Sequence, residues 1–147
     1  MSILYTRNNL DGVVCGLILT SCLFVDSVKL CSESDADFVA TTDDVIAGLP
    51  YQDGVKMWFD HIEPCKEVLD VLVKKDNWEI NSSAKSTARV IYDYCRDADM
   101  DTRLIPHDII EVLEEDENMS VSIDIETEGE LVPDVSLIKT VLEGVSF

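Results

Sequence analysis

Two short acidic loops contain the residues best suited to chemistry. The first is residues 8–12, with the sequence NNLDG, and the second is Asp60-His61; each directly follows a predicted buried strand. A carboxylate and an imidazole placed together at a strand end can ligate Mn²⁺ or a similar ion. Asp11 also has an ordinary structural alternative, because a carboxylate in this position can cap the following helix by accepting a backbone N–H bond. A third acidic pair, Asp43-Asp44, follows another predicted strand.

The elements that must position these loops are strands alternating with helices. Short apolar runs predict four strands, at residues 2–6, 28–31, 38–41 and 55–59. Helical spacing and capping residues predict helices over residues 12–24, from Pro64, from Ser82-Ser83 and from Pro106. This alternation predicts an α/β fold, a three-layer Rossmann-like domain with a mostly parallel sheet. The carboxyl ends of such strands are where ligand sites form.

The rest of the chain is predicted to extend the same domain. Residues 1–118 form the α/β domain, and residues 119–147 add a strand at 121–125 and a terminal helix at 135–145. The helix from Pro64 should bury Val68, Leu69, Leu72 and Val73, and the helix from Ser82-Ser83 should bury Ala84, Ala88, Ile91 and Cys95.

Composition excludes several classes of protein. The 147 residues include 30 acidic and 11 basic side chains, a net charge of -19, which should repel nucleic acid and prevent nonspecific binding to it. The same charge would suit a basic protein partner, could mimic nucleic acid, or would simply keep the protein in solution. The apolar run 13–25 is too short to span a membrane. The five cysteines lack CxxC spacing, so we expect reduced core thiols and a cytoplasmic location.

The order of the loops resembles the DHH phosphoesterases, a family that includes RecJ-like nucleases, exopolyphosphatases, cyclic dinucleotide phosphodiesterases and manganese-dependent pyrophosphatases. The first family motif is roughly Thr-His-x-Asp-x-Asp-Gly, and residues 6–12 have the sequence TRNNLDG. The second motif, an Asp after a short strand, is matched by Asp43 or Asp44. The third is Asp-His-His, and residues 60–62 have the sequence DHI. The resemblance covers residues 1–115.

The resemblance implies roles for the matching residues. It implies metal ligation by Asp11, Asp43 or Asp44, and His61. It implies catalytic roles for Asp60 and His61, with the Asp60 carboxylate orienting the His61 ring. The implied cofactor is manganese. Because this sequence lacks some of the family's metal ligands, we expect one manganese ion or none.

Three departures change the expected chemistry. Arg7, Asn9 and Ile62 occupy positions where the family has His, Asp and His. Arginine is permanently cationic and cannot ligate a metal, but it can bind a phosphate bidentately. We therefore expect Arg7 and Asn9 to contact the phosphate of a small molecule or nucleotide. Two-metal hydrolysis requires both ions, so loss of one site should remove most of the rate.

Two functions follow from this comparison. The first is a phosphoesterase domain with a reduced or lost metal centre, related to hydrolysis of nucleotides, oligonucleotides or polyphosphate; if active, it would be a manganese-dependent hydrolase. The second is a noncatalytic module that binds a nucleotide or phosphate, or docks on a basic protein through its acidic surface.

Overall fold

The computed structural model describes residues 2–31 and 38–100. In these ranges the described elements are a strand and a helix, then three strands in succession, and then a helix, a strand and a helix. The strands are β1 (Ile3–Arg7), β2 (Ser27–Cys31), β3 (Val45–Ala47), β4 (Met57–Asp60) and β5 (Trp78–Ile80). The helices are α1 (Leu10–Ser21), α2 (Lys66–Leu72) and α3 (Thr87–Asp97).

The five strands form one parallel sheet in the order β2-β1-β3-β4-β5. From β1 the chain crosses to β2 on one side, and it then returns to β3 on the other side of β1. In open parallel sheets, ligands usually bind outside the carboxyl ends of the strands at such a reversal, which here are the ends of β1 and β3. The predicted α/β, Rossmann-like class is confirmed.

The sheet is covered on both faces. Successive strand residues point to opposite sides, so that Leu4 and Phe59 pack under α1 and α3, whereas Tyr5 and Trp58 pack on the side of α2. Helix α1 is buried along most of its length, from Leu10 to Leu19. Helix α1 lacks a polar face because it packs on β1 and β2 and also against α3, which lies beside it on the same side of the sheet.

One predicted strand is wrong. Residues 38–41 are not a strand, and the third strand is instead Val45–Ala47. The Asp44 carboxylate accepts hydrogen bonds from the backbone N–H and the hydroxyl of Thr41, at 2.8 and 3.1 Å. These bonds hold residues 41–44 in a turn, so the chain enters the sheet only after Asp44.

Helix α3 differs from its predicted start, and helix α2 differs from its predicted buried face. Helix α3 begins at Thr87, five residues after Ser82, because the Ser86 hydroxyl accepts a bond from Arg89 N–H and so caps the helix there. Helix α2 buries only Leu72 fully, and Val73 is 71% exposed. The predicted four-residue inner face of α2 is therefore wrong in part.

Several predictions lie outside the described residues. They are the helix from Pro106, the strand at 121–125, the terminal helix at 135–145 and the domain extension at 119–147.

Within the described residues, none of the helices has the length and apolar character needed to cross a membrane. Of the five free thiols, Cys15, Cys31 and Cys95 are buried, as expected of core cysteines, and Cys65 is exposed.

Helix α1 begins against the strand that precedes it. A Cβ added at Gly12 would lie 1.8 Å from the carbonyl oxygen of Arg7, which is backbone and cannot rotate away. Glycine is therefore required at position 12 for α1 to turn back onto β1 at this distance.

We expect Gly12→Ala to lower the free energy of unfolding by about 3 kcal/mol, at the upper end of the usual cost of overpacking. Gly54→Ala is the control, because nothing lies within 4 Å of its added Cβ and only its φ of +89° opposes the change. That strain should cost about 1 kcal/mol. Urea unfolding of both variants measures the difference, and equal losses would contradict the close approach.

Candidate functional site

Residues from three adjacent strand ends meet at the carboxyl edge of the sheet. Arg7 ends β1, Gly48 directly follows β3, and Asp60 ends β4 with His61 next to it. Helices α1 and α3 both begin at this edge and bring Asp11 and Thr87 to it. The two loops singled out from the sequence are therefore brought together, as the parallel sheet requires.

Asp11 joins α1 to α3. Its side chain is 7% exposed, and its two carboxylate oxygens accept backbone N–H bonds from Thr87 at 3.1 Å and from Ala88 at 2.8 Å. These are N–H groups of the first turn of α3, which have no partner within that helix. A carboxylate at a helix N-terminus also interacts favourably with the helix dipole. Asp11 thus caps a helix 76 residues away in sequence.

The sequence-based expectation that Asp11 caps its own helix is wrong. The cap of α1 is Asn9, whose Oδ1 accepts a bond of 2.8 Å from Gly12 N–H. Asn9 was expected to contact phosphate, but its side-chain oxygen is used within the loop. Its amide N–H groups are the part that could still act as donors.

Burial makes Asp11 harder to ionise. Desolvation raises the pKa of its carboxyl above the usual range, and the two backbone N–H bonds and the nearby His61 oppose this effect. The Cys15 thiol lies 3.8 Å from Asp11 Oδ1, and burial raises the pKa of that thiol as well. Cys15 is therefore a neutral neighbour of Asp11, not a thiolate nucleophile.

Asp60 shapes the loop that carries His61. Its Oδ1 accepts backbone N–H bonds from His61 at 2.8 Å and from Ile62 at 3.2 Å. Burial raises the pKa of the Asp60 carboxyl, while these bonds, and then the charges of His61 and Arg7, act in the opposite direction. Arg7 is connected to this loop through Gly48, whose carbonyl accepts from Arg7 Nε and whose N–H donates to the carbonyl of Phe59 at 2.9 Å.

The His61 ring is held by a residue that the sequence analysis did not identify. His61 Nδ1 lies 2.8 Å from the Thr87 hydroxyl, whereas Asp60 Oδ1 is 3.6 Å from the same nitrogen. Thr87 therefore contacts His61 through its hydroxyl and Asp11 through its backbone N–H. The Ser-Thr pair before a helical pattern was the only sequence signal for it, and this signal indicates a cap, not a site.

Arg7 is held by a hydrogen bond at the switch point of the sheet, which is the place between β1 and β3 where the strand order reverses. Its Nε donates a hydrogen bond to the carbonyl oxygen of Gly48 at the end of β3. Gly48 has a φ of +70°, and a Cβ there would lie 3.6 Å from the Thr87 hydroxyl and 3.8 Å from the Arg7 side chain. The backbone conformation therefore favours glycine here, whereas an added Cβ would make only ordinary van der Waals contacts with these two groups.

Asp43 and Asp44 lie at the other end of the sheet. Asp44 Oδ1 accepts a bond of 3.0 Å from the backbone N–H of Ile3, the first residue of β1. Both acidic residues precede β3, so they are separated from Asp11 and His61 by the length of the strands. Their expected role as ligands beside Asp11 does not fit this placement. The residue that follows β3 at the site is Gly48.

The acidic side chains at the carboxyl edge of the sheet take part in backbone hydrogen bonds. Within residues 2–31 and 38–100, no three His, Cys, Asp or Glu side chains are grouped so that they could hold a metal ion. Both Asp11 oxygens accept N–H bonds from α3, and Asp60 Oδ1 accepts two from its own loop. Manganese prefers carboxylate and other oxygen donors, and here these donors serve the fold.

Comparison with known proteins supports the fold. No protein-family model matches the chain, and no curated protein matches its sequence. A similar solved structure is PggH from Vibrio cholerae, described as a pGpG-specific phosphodiesterase, with a TM-score of 0.62 and 23% identity. The match covers 83% of this chain and 38% of that one, so this chain spans well under half its length. At this identity the similarity shows a common fold.

We expect Asp11→Asn to lower the free energy of unfolding by about 2 kcal/mol, because a bond to a charged group is lost and an amide N–H then faces a backbone N–H. Asp60→Asn is the matched control. Both backbone bonds of Asp60 go to one oxygen, Oδ1, which an Asn side chain retains. Urea unfolding near neutral pH should show little change for this variant. Equal destabilisation of the two variants would contradict the role of Asp11 across the helix interface.

Proposed function

We propose that this chain is a phosphoesterase-like domain that binds a phosphate ester of a nucleotide or short oligonucleotide at the carboxyl edge of its sheet. Arg7 and His61 are the proposed phosphate-binding groups. The observation that carries the proposal is the position of Arg7, which is hydrogen-bonded to the carbonyl of Gly48, while the N–H of Gly48 donates to the carbonyl of Phe59, directly before the Asp60-His61 loop.

Arginine suits this position for two physical reasons. Its guanidinium remains charged at all physiological pH values, and its planar arrangement of N–H donors matches the oxygens of a phosphate. The bond from Nε to Gly48 limits the movement of the group before a ligand arrives, so less conformational entropy is lost on binding. In a chain with a net charge of -19, a fixed local cation decides where an anion can bind.

The proposed binding does not depend on manganese. The carboxylates expected to ligate it are either used in backbone hydrogen bonds or placed at the other end of the sheet. We propose that the cation of Arg7 takes over part of the charge compensation that a metal ion supplies in active phosphoesterases. A single guanidinium can bind a phosphate, but it does not generate a hydroxide nucleophile as a metal-bound water does.

The comparison suggests which ligand to test first. PggH is described as specific for pGpG, and it shares the fold of this chain. A linear dinucleotide with a 5′-phosphate is therefore the first probe, and inorganic phosphate and polyphosphate are the next. Asn9 is proposed to contribute only amide N–H donors, since its oxygen caps α1.

We expect Arg7→Gln to weaken binding of the linear dinucleotide about tenfold or more, because a charge-assisted hydrogen bond contributes about 1.5–3 kcal/mol. Glutamine can still donate to the Gly48 carbonyl, so the change removes the charge and keeps this contact. Isothermal titration calorimetry at fixed ionic strength measures the affinity.

Lys29→Gln is the control for this measurement. It removes the same unit of charge from an exposed position on β2, and should alter the affinity less than twofold once ionic strength screens distant charges. If the two variants bind equally well, the effect of Arg7 is one of net charge and the proposed contact is wrong.

We expect hydrolysis of the dinucleotide in the presence of Mn²⁺ to stay at the level of the His61→Ala variant, since the acidic side chains within residues 2–31 and 38–100 are not grouped as metal ligands. We also expect a chelator to leave dinucleotide affinity unchanged. Product formation can be followed by chromatography of the nucleotides. Manganese-dependent turnover that His61→Ala abolishes would establish an enzyme and overturn the metal-independent proposal.

A further inference from the structure

Thr87 occupies a central place in the site. It is 2% exposed, its backbone N–H donates to Asp11, and its hydroxyl lies 2.8 Å from His61 Nδ1. We infer that Thr87 is a positioning residue, which fixes the ring of His61 and the nitrogen that carries its proton, so that Nε2–H faces the ligand. This inference rests on the proposed function, because it concerns how His61 presents a donor to phosphate.

The hydrogen of the Thr87 hydroxyl indicates which group is the donor in the bond between this hydroxyl and His61 Nδ1. A buried hydroxyl leaves its hydrogen unsatisfied unless an acceptor lies nearby, and such a loss is costly. In the part of the chain that the structure describes, the contact of the Thr87 hydroxyl is His61 Nδ1. If Thr87 donates, Nδ1 is the acceptor, and the proton of the neutral ring is on Nε2.

Asp60 does not direct the ring in the way that the sequence suggested. Its Oδ1 is 3.6 Å from His61 Nδ1, which is longer than a hydrogen bond, and it already accepts two backbone N–H bonds. Asp60 therefore holds the backbone of His61, and Thr87 holds its ring. This division leaves Nδ1 free to accept from the hydroxyl.

The resulting tautomer favours an anion as the ligand of His61. An Nε2–H group can donate to a phosphate oxygen, as the guanidinium of Arg7 can. Metal ligation through Nε2 instead requires a lone pair there and the proton on Nδ1. Thr87 thus sets His61 as a hydrogen-bond donor, in agreement with the lack of a grouped set of metal ligands in the described residues.

Two substitutions of Thr87 separate its hydroxyl from its backbone. Thr87→Ser keeps both the hydroxyl and the N–H bond to Asp11, whereas Thr87→Val keeps the shape and the N–H bond and loses the hydroxyl. Urea unfolding verifies that each variant is folded. Dinucleotide affinity should fall about fivefold in Thr87→Val and be largely retained in Thr87→Ser, as expected for loss of one neutral hydrogen bond.

Nitrogen NMR of the ligand-free protein reads the tautomer directly. The chain has two histidines, so His107→Gln assigns the signals of His61. Under alkaline conditions, in which histidine side chains are neutral, we expect the proton on Nε2 in the wild type and in Thr87→Ser. Thr87→Val should show a smaller fraction of this tautomer, since Nδ1 has lost its donor.

The two readouts distinguish failure of the inference from failure of the proposed function. A wild-type spectrum with the proton on Nδ1 overturns the inference, whether or not Thr87→Val folds. An unchanged tautomer in a folded Thr87→Val variant also overturns it. If the wild type has the expected tautomer but binds no dinucleotide or inorganic phosphate, the positioning by Thr87 stands and the proposed function is wrong.

Discussion

The contact between the Asp11 carboxylate and the first N–H groups of α3 is the constraint on which the site depends. It joins the first helix of the chain to the third and sets where α3 begins, together with Ser86. It also brings Thr87 to the edge of the sheet, where the hydroxyl reaches His61. Without this contact, the N–H groups of α3 would need another acceptor at a buried position.

Because of this contact, the first turn of α3 binds the Asp11 carboxylate and not the anion of a ligand. Helix N-termini are common phosphate sites, because their N–H groups and dipole favour negative charge. Here the Asp11 side chain already occupies Thr87 and Ala88 N–H. The proposed phosphate site therefore uses side chains at the strand ends, Arg7 and His61, and not the first turn of α3.

The fold could be predicted from sequence because its signals are local. The alternation of apolar runs and helical spacing is a property of neighbouring residues, and it was enough to predict a parallel sheet and the two loops at Asp11 and Asp60-His61. The place of Asp43 and Asp44 was predicted wrongly because the turn formed by Thr41 and Asp44 delays the strand. Three residues, Val45–Ala47, give a weak strand signal.

The contacts within the site could not be predicted in the same way. Asn9 and Asp11 are both good capping residues, and only the packing of α3 on α1 decides that Asn9 caps α1 while Asp11 reaches across. The role of Thr87 depends on a bond to a residue 26 positions away. No spacing rule for a single element contains that information.

The poor burial of α2 gives the two faces of the sheet unequal local stability. Opening of the seven residues of α2 would expose one fully buried side chain, Leu72, whereas opening of α1 would expose a nearly continuous core. Fluctuations should therefore begin on the α2 side, where few contacts are lost. Such opening of α2 does not require the hydrogen bonds between Asp11 and α3 to break. The α2 layer can therefore open while the residues at the carboxyl edge of the sheet keep their arrangement.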